Sequence, residues 1–69
     1  MADSQIIITV EGMTFDCENR IKQALERING VDRVIVNTEN KKVFIEFDDE
    51  RITEQLIKET IEDEGFKVK

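Results

Sequence analysis

The sequence has no histidine, proline, tryptophan or tyrosine, and it has one cysteine, Cys17. A single cysteine excludes a disulfide within the chain and fits a reducing compartment. Because the chain has no histidine to activate the thiol, and no other general base is evident, the composition does not favour an enzyme with a cysteine nucleophile. We therefore expect a protein that is not an enzyme.

Long apolar runs are also absent. No uninterrupted apolar run exceeds three residues, and Ile6–Ile8 is ended by Thr9, whereas a bilayer-spanning helix needs about 20 apolar residues. No signal-peptide pattern precedes this run. We expect a soluble, cytoplasmic protein with no membrane contact, and the 69 residues suffice for one domain, residues 1–69.

The chain has no excess of basic residues. Its net charge is −6: residues 1–42 carry seven acids and six bases, and residues 43–69 carry nine acids and four bases. Phosphate binding needs a basic patch, so nucleic acid is excluded as an expected partner. The acidic half either keeps a small protein soluble or steers a basic protein partner towards it.

Four short segments have the composition or alternation of strands. Gln5–Glu11 has apolar residues on both faces, which predicts a central strand with little exposure on either face. Two alternating runs, 33–37 and 41–47, predict a hairpin in which Val34 and Val36 pair with a stripe of Val43, Ile45 and Phe47. The last residues, 66–69, have room only for a short strand.

Two segments have helical periodicity. The first is predicted to run from about Cys17 to Ile28, with Asn29-Gly30 as its stop and Cys17 on its buried stripe. The second is predicted to be capped by Thr53, with Ile52 as a staple, and to end at Gly65. The expected buried stripes are Ile21, Ala24, Leu25 and Ile28 in the first helix, and Leu56, Ile57, Thr60 and Ile61 in the second.

The order strand, helix, strand, strand, helix, strand gives two successive strand-helix-strand units. Right-handed crossovers place both helices on one face of the sheet. We therefore expect an α+β fold, a ferredoxin-like βαββαβ sandwich with a four-stranded antiparallel sheet and two helices on one face.

Three segments carry a resemblance to a known family: "GMTFDCENRIKQAL", "GVDRVIVNTENKKVFIEFD" and "LIKETIEDEGFKVK". They resemble the heavy-metal-associated domain of copper chaperones, metal-transporting ATPases and mercury-binding proteins, from about Ile6 to Val68. The resemblance implies the sheet order 4-1-3-2 and a loop, Gly-Met-Thr-Cys followed two residues later by Cys, whose thiolates bind Cu(I), Zn(II) or Hg(II). It also implies that Phe66 packs beside this loop.

The loop departs from the family pattern. The residues 12–14, Gly-Met-Thr, match. Phe15, however, occupies the position of the first cysteine, and Cys17 has the helical register of the second, so the loop is one residue shorter. A gapless alignment would instead place Glu18 at the second ligand position, but it would shift the apolar stripe out of register. An engineered loop explains the change as well as natural drift does.

By resemblance, Cys17 is the expected metal ligand. Met13 could add a thioether, although the resemblance directs it into the core, and Asp16 and Glu18 could add oxygens, although their position favours helix capping. Phe15 is expected to cover the space that a metal would occupy.

These observations predict a domain that binds or transfers a soft metal ion such as Cu(I) at a degenerate site with one cysteine. The alternative is a scaffold or interaction module that binds no metal. For the first function we expect a partner domain, or a homodimer formed through Cys17 by a shared ion or a disulfide.

Overall fold

The computed structural model describes residues 3–12 and 17–69. In these ranges the chain forms β1 (Asp3–Glu11), α1 (Glu18–Glu26), β2 (Val31–Asn37), β3 (Lys42–Asp48), α2 (Glu54–Asp63) and β4 (Lys67–Val68). This order confirms the predicted βαββαβ arrangement. Neither helix has the length and apolar character that crossing a membrane requires, as far as the described residues extend.

The four strands form one antiparallel sheet in the order β2-β3-β1-β4. This is the order 4-1-3-2 implied by the family resemblance. Val34 lies opposite Ile45 and Val36 lies opposite Val43, so the predicted hairpin has the predicted register. The first and third strands are neighbours, with Ile6 opposite Ile45.

The core lies between one face of the sheet and the two helices. Alternate residues of β1, β2 and β3 point to this face and are buried, because a strand has a side-chain period of two. The buried apolar residues are Ile8, Val10, Ile21, Leu25, Val34, Val43, Ile45, Phe47, Ile52, Ile57, Ile61 and Phe66. The sandwich with both helices on one face is therefore confirmed.

The prediction that β1 is shielded on both faces was wrong. Ile7 has 64% of its surface exposed, while its neighbour Ile8 is buried. Both crossovers place their helices on the Ile8 side, so the face that carries Ile7 remains open to solvent. Antiparallel sheets commonly have one solvated face.

The first helix is shorter than predicted. It begins at Glu18, with Cys17 as its N-cap, and ends at Glu26. After Glu26 the chain forms a tighter turn, in which Ile28 N–H donates to the carbonyl oxygen of Leu25, three residues earlier, at 3.1 Å. Gly30 then adopts φ +117°, a conformation that favours glycine and allows the chain to turn into β2.

The second helix begins as predicted. Thr53 Oγ1 accepts a hydrogen bond from Leu56 N–H at 3.2 Å, and Ile52 is buried beside the helix start. The prediction that Leu56 belongs to the buried stripe was wrong, since it is 41% exposed. Ile57 and Ile61 define the centre of the stripe, and Leu56 is rotated about 100° from Ile57 around the helix axis. Gly65, with φ +97°, follows the helix end.

Candidate metal site

The candidate site lies where the end of β1, the start of β4 and the start of α1 meet. β1 ends beside the start of β4, with Glu11 opposite Lys67. Lys69 N–H donates to the Thr9 carbonyl oxygen at 2.9 Å, and the Lys69 ammonium lies 3.8 Å from a Glu11 carboxylate oxygen. These contacts fix the residues before β4 next to the point where β1 leads towards α1.

Cys17 lies at the N-terminus of α1. Its backbone is helical, with φ −89° and ψ −14°, and its partly buried side chain packs against the core. Ile21 and Leu25, four and eight residues further on, are fully buried, which is the helical register expected for Cys17. The predicted position of Cys17, at the start of the helix and on its apolar stripe, agrees with the structure, although the side chain is half-buried rather than buried.

Glu18 is the first residue of α1 and is half-buried. A carboxylate in the first turn interacts favourably with the helix dipole and with the N–H groups of that turn. This placement agrees with its expected role at the helix start. Carboxylate oxygens are hard ligands, so Glu18 is a poor match for Cu(I).

Three predicted site residues, Met13, Phe15 and Asp16, lie outside the described residues. The proposed thioether ligand, the aromatic cover and the second capping carboxylate therefore stay predictions. The same holds for the proposed one-residue shortening of the loop. Across 3–12 and 17–69, no group of three or more cysteine, aspartate and glutamate side chains is placed to hold a metal ion.

Arg20 lies beside the candidate site, and the sequence did not predict this position. Its guanidinium carbon lies 5.9 Å from the centroid of the Phe66 ring. Its Nη2 donates to the Glu64 carbonyl oxygen at 3.3 Å and lies 3.7 Å from Glu64 Oε1. Arg20 therefore connects the first turn of α1 to the turn between α2 and β4, and the buried Phe66 lies beside the helix that Cys17 begins.

No local signal could have revealed this contact. Arg20 and Glu64 are 44 residues apart, and an exposed arginine in a helix is usually only solvated. The family resemblance predicted that Phe66 would pack beside the metal loop. The structure shows Phe66 in contact with Arg20 in the first turn of α1. Its packing against residues 13–16 stays a prediction, because these lie outside the described residues.

Comparison with known proteins identifies the family. The family model for the heavy-metal-associated domain matches residues 7–67. A copper chaperone CopZ of Staphylococcus epidermidis is 40% identical over 67 residues, which cover 96% of this chain and 98% of that protein.

Solved structures agree with this assignment. A CopZ metallochaperone has a TM-score of 0.92 and 39% identity, with 96% of this chain and 100% of that chain covered. A copper-binding domain of a P-type ATPase has a TM-score of 0.90 and 36% identity, with 94% and 89% covered. The chain therefore belongs to the heavy-metal-associated domain family.

Proposed function

We propose that the chain binds and transfers a soft metal ion of the Cu(I) type through the Cys17 thiolate. The observation that carries this proposal is the position of Cys17, at the N-terminus of α1 and in register with Ile21 and Leu25. Support also comes from the relatives, since proteins named copper chaperones match this chain over nearly its whole length.

The donor set determines how the ion is held. Cu(I) prefers soft ligands, and thiolate is the softest that a protein offers. The sequence supplies one thiolate and no imidazole, so this chain alone cannot complete a two-thiolate site. We infer that the second thiolate comes from outside the chain.

A partner therefore supplies the missing ligand. The candidates are a second copy of this chain, a domain of the same fold, or a small thiol. Because the incoming thiolate completes the coordination of the ion, the proposal couples ion binding to docking of the partner. In a transfer step, the Cys17–metal bond then breaks as a further partner thiolate replaces it.

A scaffold module without metal is the second candidate. It is favoured by one observation, which is that Phe15 stands where the family resemblance places a first cysteine. This candidate predicts that removal of the Cys17 thiol changes neither ion binding nor association.

Titration of the reduced protein with Cu(I) under anaerobic conditions, against a competing chelator, separates the two candidates. We expect binding that disappears in Cys17→Ser and persists in Glu18→Gln, because the sulfur is the ligand and the carboxylate is not. Equal Cu(I) binding by the native protein and Cys17→Ser would contradict the proposal.

A gain-of-function variant tests whether the missing first cysteine of the loop limits metal affinity. Phe15→Cys, combined with one residue inserted before Cys17, restores two thiolates at the family spacing. We expect at least tenfold tighter Cu(I) binding by the monomer, because both ligands then come from one chain. An unchanged affinity would mean that the missing cysteine does not limit binding.

A further inference from the structure

The open face of the sheet carries an apolar row across three strands. Phe44 of β3 is the cross-strand partner of Ile7 in β1 and of Ile35 in β2. Ile7 is 64% exposed and Ile35 is 50% exposed, while Phe44 between them is half-buried. The three side chains therefore form one continuous band in contact with water.

Sheet stability alone does not explain this band. Cross-strand contacts with Phe44 stabilise the sheet, but at least half of each isoleucine remains in contact with water. The solvated face of an antiparallel sheet is usually polar, and contiguous exposed apolar residues with a polar rim are typical of interaction surfaces.

The charges beside the row have a specific arrangement. Lys42 lies two residues before Phe44 and Glu46 lies two residues after it, so both share the open face with Phe44. Thr9 and Asn37 flank Lys42, and Gln5 and Arg33 flank Glu46. One side of the row thus carries the Lys42 charge alone, and the other carries the Glu46 charge with the Arg33 charge beside it, towards the β2 edge.

We propose that this face binds a second copy of the chain about a twofold axis that runs along the apolar row. This rotation places Phe44 against Phe44 and each Lys42 opposite the second copy's Glu46. Each Arg33 then faces the second copy's uncharged Asn37. Rotation about an axis parallel to the strands would instead place Lys42 opposite Lys42 and Glu46 opposite Glu46. Since like charges in contact oppose association, the charge pattern selects the first arrangement.

The small area of the row limits how strong this association can be. A stable complex buries about 800 Å² on each partner, and three partly exposed side chains provide much less. The dimer is therefore transient, with a Kd of roughly 0.1–1 mM. Cys17 lies in the loop–helix corner and is not on this face, so the association needs neither the thiol nor a metal ion.

The test is a concentration series of metal-free protein from about 0.05 to 2 mM, which brackets the expected Kd. Sedimentation velocity and backbone amide chemical shifts measure association at each concentration. We expect shift changes centred on Ile7, Ile35 and Phe44. Ile7→Thr, which keeps a β-branched residue in the strand, should weaken association, and Cys17→Ser should not change it.

Reversal of the Lys42 and Glu46 charges tests the proposed orientation of the two copies. Lys42→Glu and Glu46→Lys should each weaken association at least tenfold, and the combined reversal should restore it to within about threefold of the native value. The reversals shift the net charge from −6 to −8 and to −4 respectively, since each changes the charge by two units. An effect of net charge alone would therefore make Glu46→Lys associate more tightly, which would overturn the proposal.

Two further results would also overturn it. One is a monomer at every concentration. The other is an association that the single reversals leave intact or that the double reversal fails to restore. Circular dichroism and urea unfolding of every variant confirm that loss of association does not come from loss of the fold.

Discussion

Arg20 connects two segments that are distant in the sequence and adjacent at the candidate site. Its guanidinium lies over the Phe66 ring, and it contacts both the carbonyl and the carboxylate of Glu64. The arginine is 60% exposed and the glutamate 35%, so solvent screens the ion pair. Lysine can supply the positive charge, but it cannot reproduce the planar guanidinium and its forked donors.

We predict that Arg20→Ala lowers the free energy of unfolding by less than about 1 kcal/mol, because an exposed cation–π contact and a screened ion pair each contribute little. Arg20→Lys should recover only part of the loss. Urea unfolding measures both values, with Arg27→Ala at the exposed end of α1 as the control. A loss above about 3 kcal/mol would show that Arg20 has a larger structural role than these contacts support.

At the scale of elements, the two helices begin differently. The Thr53 side chain caps α2, and Thr53 has extended backbone angles, φ −114° and ψ 161°. At the start of α1, Cys17 has helical backbone angles, and its side chain does not cap the helix. Thr53 therefore stabilises the start of α2, whereas the N-cap position of α1 is occupied by Cys17, which carries the thiol of the candidate site.

We predict that Thr53→Ala lowers the free energy of unfolding by about 1 kcal/mol, since Leu56 N–H loses its acceptor at the start of α2. Thr53→Ser keeps the hydroxyl and should retain most of the stability. Thermal or urea unfolding compares the two variants. Equal losses in both would show that the hydroxyl does not provide the stabilisation.

At the scale of the whole molecule, the sequence predicted the topology because three kinds of local signal agree. Alternation in β2 and β3 identified the hairpin register, and the Thr53 cap and the glycine at position 65 identified the limits of α2. Alternation does not say which side of a strand the helices cover. The exposure of Ile7 was therefore missed, because it depends on where both crossovers place their helices.

The candidate site was predictable only in part. The helical register predicted the position of Cys17, because it depends on residues four and eight positions further along the chain. The contacts of Arg20 with Glu64 and Phe66 depend on tertiary structure that brings the ends of the chain together. Metal binding by Cys17 stays a prediction, as does the second ligand.

Each chain contributes one thiolate in the proposed function, so we predict that two chains share one ion when no other thiol is present. The most direct test is light scattering of reduced protein at low micromolar concentration, with and without half an equivalent of Hg(II). At this concentration, association through the open sheet face is negligible. We predict a dimer with one ion per two chains that is absent without the ion and in Cys17→Ser, because a linear Hg(II) site needs two thiolates. An unchanged monomer in the presence of Hg(II) would contradict it.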